Sequence, residues 1–519
     1  MSENSLLAVI LDKKGDIKTP EYHSHAPKAS SERPVSSPLK DVDSTLDNTP
    51  KPTPRRGLNT ALINSLRNRR NSPLDQALET LTGDIVVLGG YRGSVLSSPE
   101  GRQLWPPINA AHQPNLGLNL CPEEDVLSED SVVATGLLQS AGKVDFAANL
   151  LNKLRGCENA KNGVLRVWEW GYDWRLSPQL ISERFVKFLE GLRCNRPTSH
   201  PLSSEEAGSN TPKGALVVAH SLGGVITRHA VNSRPELFSG VVYAGVPQSC
   251  ISILGPFREG DPASFLGHKV LDAEVHFSLR TAYTFLPDDG ECFVDSHGKK
   301  VPVNFYDVED WVRYRLSPCV APASPANHQG AGEMERGGDA FKVKMNVPFH
   351  LRRRNTIHAF PTTLSPPPRK RFPHQPTNKS YLRGILSSTK TFRSNLAHNP
   401  ALESANAYPP IAVLYSDGTP TVSGVRVSSP GAIAAEDVCN QQNRLHAPGD
   451  GVVVAKMAMP PTGYNIVEGG VLRSGKGHMT LLGDLAGVGR AIGAVVNGRE
   501  RGVGKGGKVE GGVFESCHR

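Results

Sequence analysis

A chain of 519 residues with 38% apolar residues and 51 glycines can bury a sizeable core, which excludes a wholly disordered or collagen-like protein. The net charge of +8 is local: twelve Lys or Arg and no Asp or Glu fall between Ala340 and Leu402, and subtracting them leaves −4 for the rest. The basic balance therefore does not read as a nucleic-acid-binding surface, and eight scattered cysteines, no two within four positions, exclude a zinc knuckle or a CxxC redox pair.

In chain order, residues 1–80 are rich in Ser, Pro, Lys and Asp ("KASSERPVSSPLKDVDS", "NTPKPTPRRG") without a sustained period, and read as a disordered N-terminal region. "LNTALINSLRNRR" is a basic helical stretch that could touch an anionic membrane, although a solvated linker helix is the more ordinary reading. The apolar "LLAVIL" follows an acidic start and is too short for a signal h-region, and no run approaches a membrane span, so a cytoplasmic or peripheral-membrane protein is expected.

Order is predicted from residue 81 to 326. "GDIVVLGGYRGSVL" is a buried β-branched run broken sharply by glycines, and "VDFAANLLNKLRGC" carries a helical period. "GVLRVWEWGYDW" reads as a strand entering a loop, "SERFVKFLEGL" as an amphipathic helix, and "GALVVAHSLGGVITRHAV" as strand, turn and helix. "FSGVVYAGVP" is again a strand, and strands alternating with helices predict an α/β fold with a doubly wound, mostly parallel sheet. The pattern fails at 327–403, which reads as a basic, Pro-rich insertion of low order too long for an ordinary loop. It returns at 404–497, where Ile411 to Tyr415 is a late strand, and 498–519 reads as a Gly- and Lys-rich flexible tail.

Chemistry enters at "VVAHSLGGVITRHAV". A small-x-Ser-x-Gly string alone arises by chance in on the order of one of two chains this long, but here the strand "ALVVA" ends at a turn carrying His220 and Ser221. Gly223 and Gly224 remove the side chains that would clash where a following helix packs close, so Ser221 sits as on a nucleophile elbow at a helix N-terminus. A serine needs a base and the base an orienting carboxylate, both expected later in the chain. Of seventeen histidines only His446 and His478 fall in the ordered C-terminal part, and His478 lies in the glycine-flanked loop "RSGKGHMTLLGD". Two acids compete on geometry alone: Asp417, directly after the strand "IAVLY", and Asp450 in "APGDGVVVAKM". Oxyanion donors are expected from the amide of Leu222 and from Tyr91 or Arg92 in "GGYRGS".

Taken in order, "VLGGYRGS", "GYDWRLSP", "AHSLGG", "YSDGTPTVSG", "GDGVV" and "GKGHMTLLGD" resemble the lecithin:cholesterol acyltransferase family, with its phospholipid:diacylglycerol acyltransferases and lysosomal phospholipases. The chain looks like an outlying, fungal-type member over roughly residues 84–320 and 408–497. The resemblance implies an α/β-hydrolase fold, Ser221 as the acylated serine, Asp450 as the acid, His478 as the base, and Tyr91 with Leu222 as oxyanion donors. It also places Tyr172, Asp173, Trp174 and Arg175 near the active site as substrate-pocket candidates, and it implies no metal or organic cofactor. Gly89 stands where the family usually has Pro, and Arg92 where an apolar residue is common. Only Cys121 lies between Ser94 and Arg155, so the disulfide-closed lid of the secreted members cannot form.

The expected function is acyl transfer from a lipid ester through a serine acyl-enzyme to an alcohol or water, with peripheral contact to anionic membrane as the only further partner. The rival reading is a catalytically inactive hydrolase-like scaffold whose basic segment binds membrane or nucleic acid. Donor, acceptor and oligomeric state have no signal in the sequence.

Overall fold

The computed structural model describes residues 72–107, 118, 120, 132–196, 214–261, 271–321, 375–435, 438, 440–509 and 511–515. The expected disorder of residues 1–71, the basic helix at "LNTALINSLRNRR", and residues 327–374 of the expected insertion lie outside these described residues.

Six strands form the central sheet: β1 (Gly83–Leu88), β2 (Leu165–Trp170), β3 (Ala215–His220), β4 (Phe238–Ala244), β5 (Ile411–Ser416) and β6 (Val471–Ser474). They stand in the order β2-β1-β3-β4-β5-β6, with every neighbouring pair parallel. Six helices cover the sheet and support the site: α1 (Pro73–Thr80), α2 (Ala148–Gly156), α3 (Pro178–Glu190), α4 (Leu222–Ser233), α5 (Gln375–Ser394) and α6 (Leu485–Glu500).

Near-continuous apolar strands need cover on both faces. Val86, Leu88, Val217, Ala219, Val241 and Val413 point toward α3, α4 and α5, meeting Phe185, Val225 and Leu386 among others. Ile85, Val87, Leu216, Val218, Val242 and Leu414 point the other way, toward Leu74, Leu78, Leu151, Leu154 and Ile492 of α1, α2 and α6. The result is a three-layer, doubly wound α/β fold with a parallel sheet. Local chemistry sets the helix starts: Ser72 and Ser177 accept from the amides of Asp75 and Leu180, and Pro73 and Pro178 occupy the first helical positions. Helix α1 also moves the start of order ahead of the expected boundary at residue 80.

The low-order reading of 327–403 is corrected from Gln375 onward. Helix α5 carries a buried stripe of Asn378, Leu382, Leu386, Thr389 and Phe392, a helical spacing that the surrounding Pro and Arg content obscured. Arg393, counted among the basic residues of a free arm, is instead a clamp. Its guanidinium donates to the carbonyls of Leu286 (2.8 Å), Gln248 (2.9 Å) and Thr284, and it pairs with Asp288. Removing residues 340–402 would therefore open the core, and a test of the basic segment has to spare α5.

The flexible tail is corrected as well. Helix α6 runs to Glu500, and Val503 and Val513 are buried against Val467. Glycines at positive φ, Gly502, Gly504 and Gly512 among them, allow the turns that fold this segment back, so here glycine content reports tight turns. Among the described residues no helix is long and apolar enough to cross a membrane.

Candidate active site

All the candidate reacting groups lie at the carboxyl ends of the strands. β3 ends at His220, and Ser221 makes the turn with φ 52° and ψ −125°, far from the helical values that begin at Leu222. Such a backbone raises the serine hydroxyl above the sheet and is the strained turn of a nucleophile elbow. It is held by the Ser221 amide donating to Ala244 O of β4 (2.9 Å) and by the close packing of α4. A Cβ at Gly223 would lie 2.5 Å from Gly89 O, and one at Gly224 2.0 Å from a Val246 methyl, so neither glycine can be replaced without moving the helix.

His478 begins a short 3-10 turn after β6, and its Nε2 lies 3.0 Å from Ser221 Oγ. Its Nδ1 lies 2.8 Å from Asp450 Oδ2. Asp450 Oδ1 accepts from the amides of Val452 (2.9 Å) and Val453 (2.7 Å). The three side chains are nearly closed off from solvent, with Ser221 5%, His478 4% and Asp450 3% exposed. Burial opposes ionisation of Asp450, but the charge and hydrogen bond from His478 and the two amides outweigh it and hold the pKa below the usual carboxylate value. Asp450 is thus a fixed anion, and Asp417 pairs at the surface with Arg473, away from the histidine.

The chain reaches Asp450 by a detour. An antiparallel ribbon of Thr419–Arg426 and Arg444–Gly449 leaves the end of β5 and returns, so that Asp450 bridges to Thr419 and its carbonyl accepts from the His478 amide at 2.8 Å. The ribbon thus returns Asp450 to Thr419, two positions past Asp417, so a strand-end rule alone left the two acids level. His446, the other candidate base, lies exposed on the same ribbon.

The loop after β1 lies over the serine. A Cβ at Gly90 would stand 2.6 Å from Ser221 Cβ and 3.1 Å from its Oγ, so glycine is required by close approach. The Tyr172 hydroxyl donates to Gly89 O (2.8 Å) and to Gly90 O (3.2 Å). Because carbonyl and amide of one trans peptide point in opposite directions, tying Gly90 O to Tyr172 turns the Tyr91 N–H away from it. Leu222, as the first residue of α4, has an amide without an intrahelical acceptor. Leu222 thus brings one free amide beside the serine, and Tyr91 follows the glycine that packs on it. Gly90→Ala should cut reaction with a serine-directed phosphonate about 100-fold or more, the cost of disturbing oxyanion donors; unchanged labelling kinetics would contradict this geometry.

The four residues of "YDWR" divide. Tyr172 and Asp173 line a cleft of ≈340 Å³ with Trp170, Val132, Ile181 and Arg184. Trp174 and Arg175 do not line it. Trp174 is fully buried against Trp105 and Tyr91, and Arg175 is committed to Asp173 at 2.7 and 2.9 Å, so both act in the core rather than as pocket walls.

Sequence reasoning missed the surroundings of Arg92. Arg92 has φ 61°, is buried, and grips Asp261 at 2.9 and 3.2 Å, with its Nη2 3.0 Å from His276 Nε2. Its carbonyl accepts from Trp105 Nε1 at 2.9 Å. Burial raises the Asp261 pKa, but Arg92 and His276 reverse this and bring it to about 2. The charge standing where an apolar residue was expected is therefore neutralised inside the fold. The other missed residue is His220, whose ring lies beside that of His478 with centroids 4.7 Å apart.

Burial lowers the pKa of His220, to about 3, and also those of His229 and His276. In the unfolded chain histidine takes up its proton near pH ~6.5. The unfolded state therefore binds more protons below that pH, and stability, complete above it, is lost as pH falls toward the folded-state values. The melting temperature should be lower at pH 5 than at pH 7.5; equal values would refute burial of these rings in the neutral form.

Five cysteines among the described residues, Cys157, Cys194, Cys250, Cys292 and Cys319, are free thiols, and the described residues contain no group of three or more His, Cys, Asp or Glu placed to hold a metal ion.

No protein-family model matches the chain. It is 28% identical over 453 residues to a protein of Saccharomyces cerevisiae (strain ATCC 204508 / S288c) described as "Uncharacterized protein YJR098C". That alignment takes in 83% of this chain and 64% of the yeast protein, so the chain spans less than two thirds of its relative's length. Among solved structures it is similar to a chain of the Tle4-Tli4 complex, with a TM-score of 0.47 and 13% identity over 80% of this chain and 98% of that one. The parallel sheet, the serine on the turn after β3 and the chain order of serine, acid and histidine make the fold an α/β-hydrolase fold.

Proposed function

We propose that the protein is a serine-dependent acyl-transfer enzyme acting on lipid esters, in the manner of the lecithin:cholesterol acyltransferase family its motifs resemble. The observation that carries this reading is the unbroken chain from Asp450 through His478 to Ser221 on a strained elbow, beneath a glycine loop that Tyr172 orients.

Ser221 Oγ attacks the ester carbonyl while His478 Nε2 takes its proton. Asp450 holds the Nδ1–H tautomer and stabilises the imidazolium. The amides of Tyr91 and Leu222 receive the charge developing on the carbonyl oxygen. His478 then protonates the leaving alcohol, and the acyl-enzyme is resolved by water or by a second alcohol activated through the same nitrogen. Hydrolysis and transfer share every step up to the acyl-enzyme, so the acceptor that reaches His478 decides between them.

The test uses the purified full chain and a fluorophosphonate probe, followed by phospholipid vesicles with and without a sterol or diacylglycerol acceptor. Labelling that depends on Ser221, with fatty acid or a new ester released from the vesicles, supports the reading. Folded protein that neither labels nor turns over lipid ester overturns it.

A further inference from the structure

His220 is the last residue of β3 and the immediate neighbour of Ser221, and it takes no part in the acyl-transfer steps. Its Nε2 lies 2.9 Å from the backbone oxygen of His478. A carbonyl oxygen only accepts, so Nε2 carries the hydrogen and donates it. The other ring nitrogen faces the glycine loop, since a Cβ at Gly90 would lie 3.1 Å from His220 Nδ1. One part-buried imidazole thus stands against the loop over the serine and the turn that carries the base, and it is covalently next to the nucleophile.

The His478 main chain is tied on both sides. Its N–H donates to Asp450 O at 2.8 Å, and its C=O accepts from His220. The first bond sets the base relative to the acid. The second sets it relative to the nucleophile, because His220 and Ser221 share a peptide bond. We propose that His220 is a positioning residue, a clamp that donates Nε2–H to the His478 carbonyl and so fixes the imidazole of His478 at its 3.0 Å distance from Ser221 Oγ.

The clamp needs His220 to stay neutral in the Nε2–H form. The titratable groups facing it are His478 and Asp450, and burial foremost, with the His478 charge second, keeps its pKa far below that of a free histidine. This inference rests on the proposed acyl-transfer role of Ser221, so labelling of the wild-type chain is read first.

The experiment measures the second-order rate constant for fluorophosphonate labelling of the full chain, and its pH profile, in wild type, His220→Phe and His220→Gln. Phe keeps a ring without the donor, and Gln places an amide donor near the position of Nε2. His220→Phe should label on the order of 10- to 100-fold more slowly, the scale of a slight misplacement of a reacting group. The pH profile of that variant should be displaced, and its melting temperature should stay near wild type. His220→Gln should recover most of the rate. Equal rates in wild type and His220→Phe would overturn the clamp while leaving Ser221 chemistry intact. Equal slowing in Phe and Gln would overturn it as well, because the ring rather than the donor would then matter. Should His220→Phe not fold, the nitrogen chemical shifts of His220 in the wild-type chain decide: a neutral Nε2–H ring from pH 5 to 8 supports the clamp, and an Nδ1–H form or a titration within that range refutes it. A folded wild type that does not label removes both the enzyme reading and the clamp.

Discussion

Ser221→Ala is expected to abolish fluorophosphonate labelling and to lower turnover of any ester substrate by on the order of 10⁶-fold, as when the nucleophile of a coupled triad is removed. His478→Ala should cost about as much, and the double variant little more, because the two act as one unit. Asp450→Asn should cost about 10⁴-fold, since an amide facing Nδ1 favours the tautomer that leaves Nε2 unable to accept the serine proton. Asp417→Asn is the internal control: its carboxylate is engaged by Arg473 at the surface and never meets the histidine. Initial rates and circular dichroism of the five variants check the set. Equal losses in Asp417→Asn and Asp450→Asn would show that the ribbon does not deliver position 450 to the site.

The largest stability effect is expected at Asp261. Removing a carboxylate from a buried pair strands the opposite charge and costs about 3–5 kcal/mol. Asp261→Ala leaves the Arg92 guanidinium among Tyr91, Trp105 and a neutral His276, with no other carboxylate in its described ion pairs. For a fold of this size that is a drop of roughly 5 °C in melting temperature. Labelling should slow as well, since Arg92 follows Tyr91 directly in the loop over the serine. The combined Arg92→Leu and Asp261→Leu change removes both charges and should recover most of the lost stability. A double variant less stable than Asp261→Ala would mean that the pair contributes through more than mutual neutralisation.

The features legible in the sequence are those written locally. Ile85 to Leu88, the run "ALVVA" and Ile411 to Tyr415 announce buried strands by composition, and the glycines after Ser221 announce a helix packed too closely for side chains. His478 stands out once histidines in segments without a period are set aside. Features that exist only after folding were not legible. Arg92 and Asp261 are 169 positions apart, and nothing in either neighbourhood marks a partner. Asp417 and Asp450 could not be separated by local sequence, because the ribbon that returns Asp450 to Thr419 forms only on folding. His220 looked like the spacer of a serine motif until its ring met the His478 carbonyl. Helix α5 was hidden for a different reason: its apolar stripe is regular, but its flanks are rich in proline and arginine.

The bond from Asn378 Nδ2 to Cys319 O, 2.9 Å long, joins the two shores of residues 322–374. The described residues on either side, Cys319 and Asn378, are thereby held at one spot. The half bearing Ser221 and the half bearing Asp450 and His478 are held together by β4 against β5 and by α5 in the core. The described fold is in this sense built in two parts, and the cluster of Ser221, His478 and Asp450 forms only where the two meet.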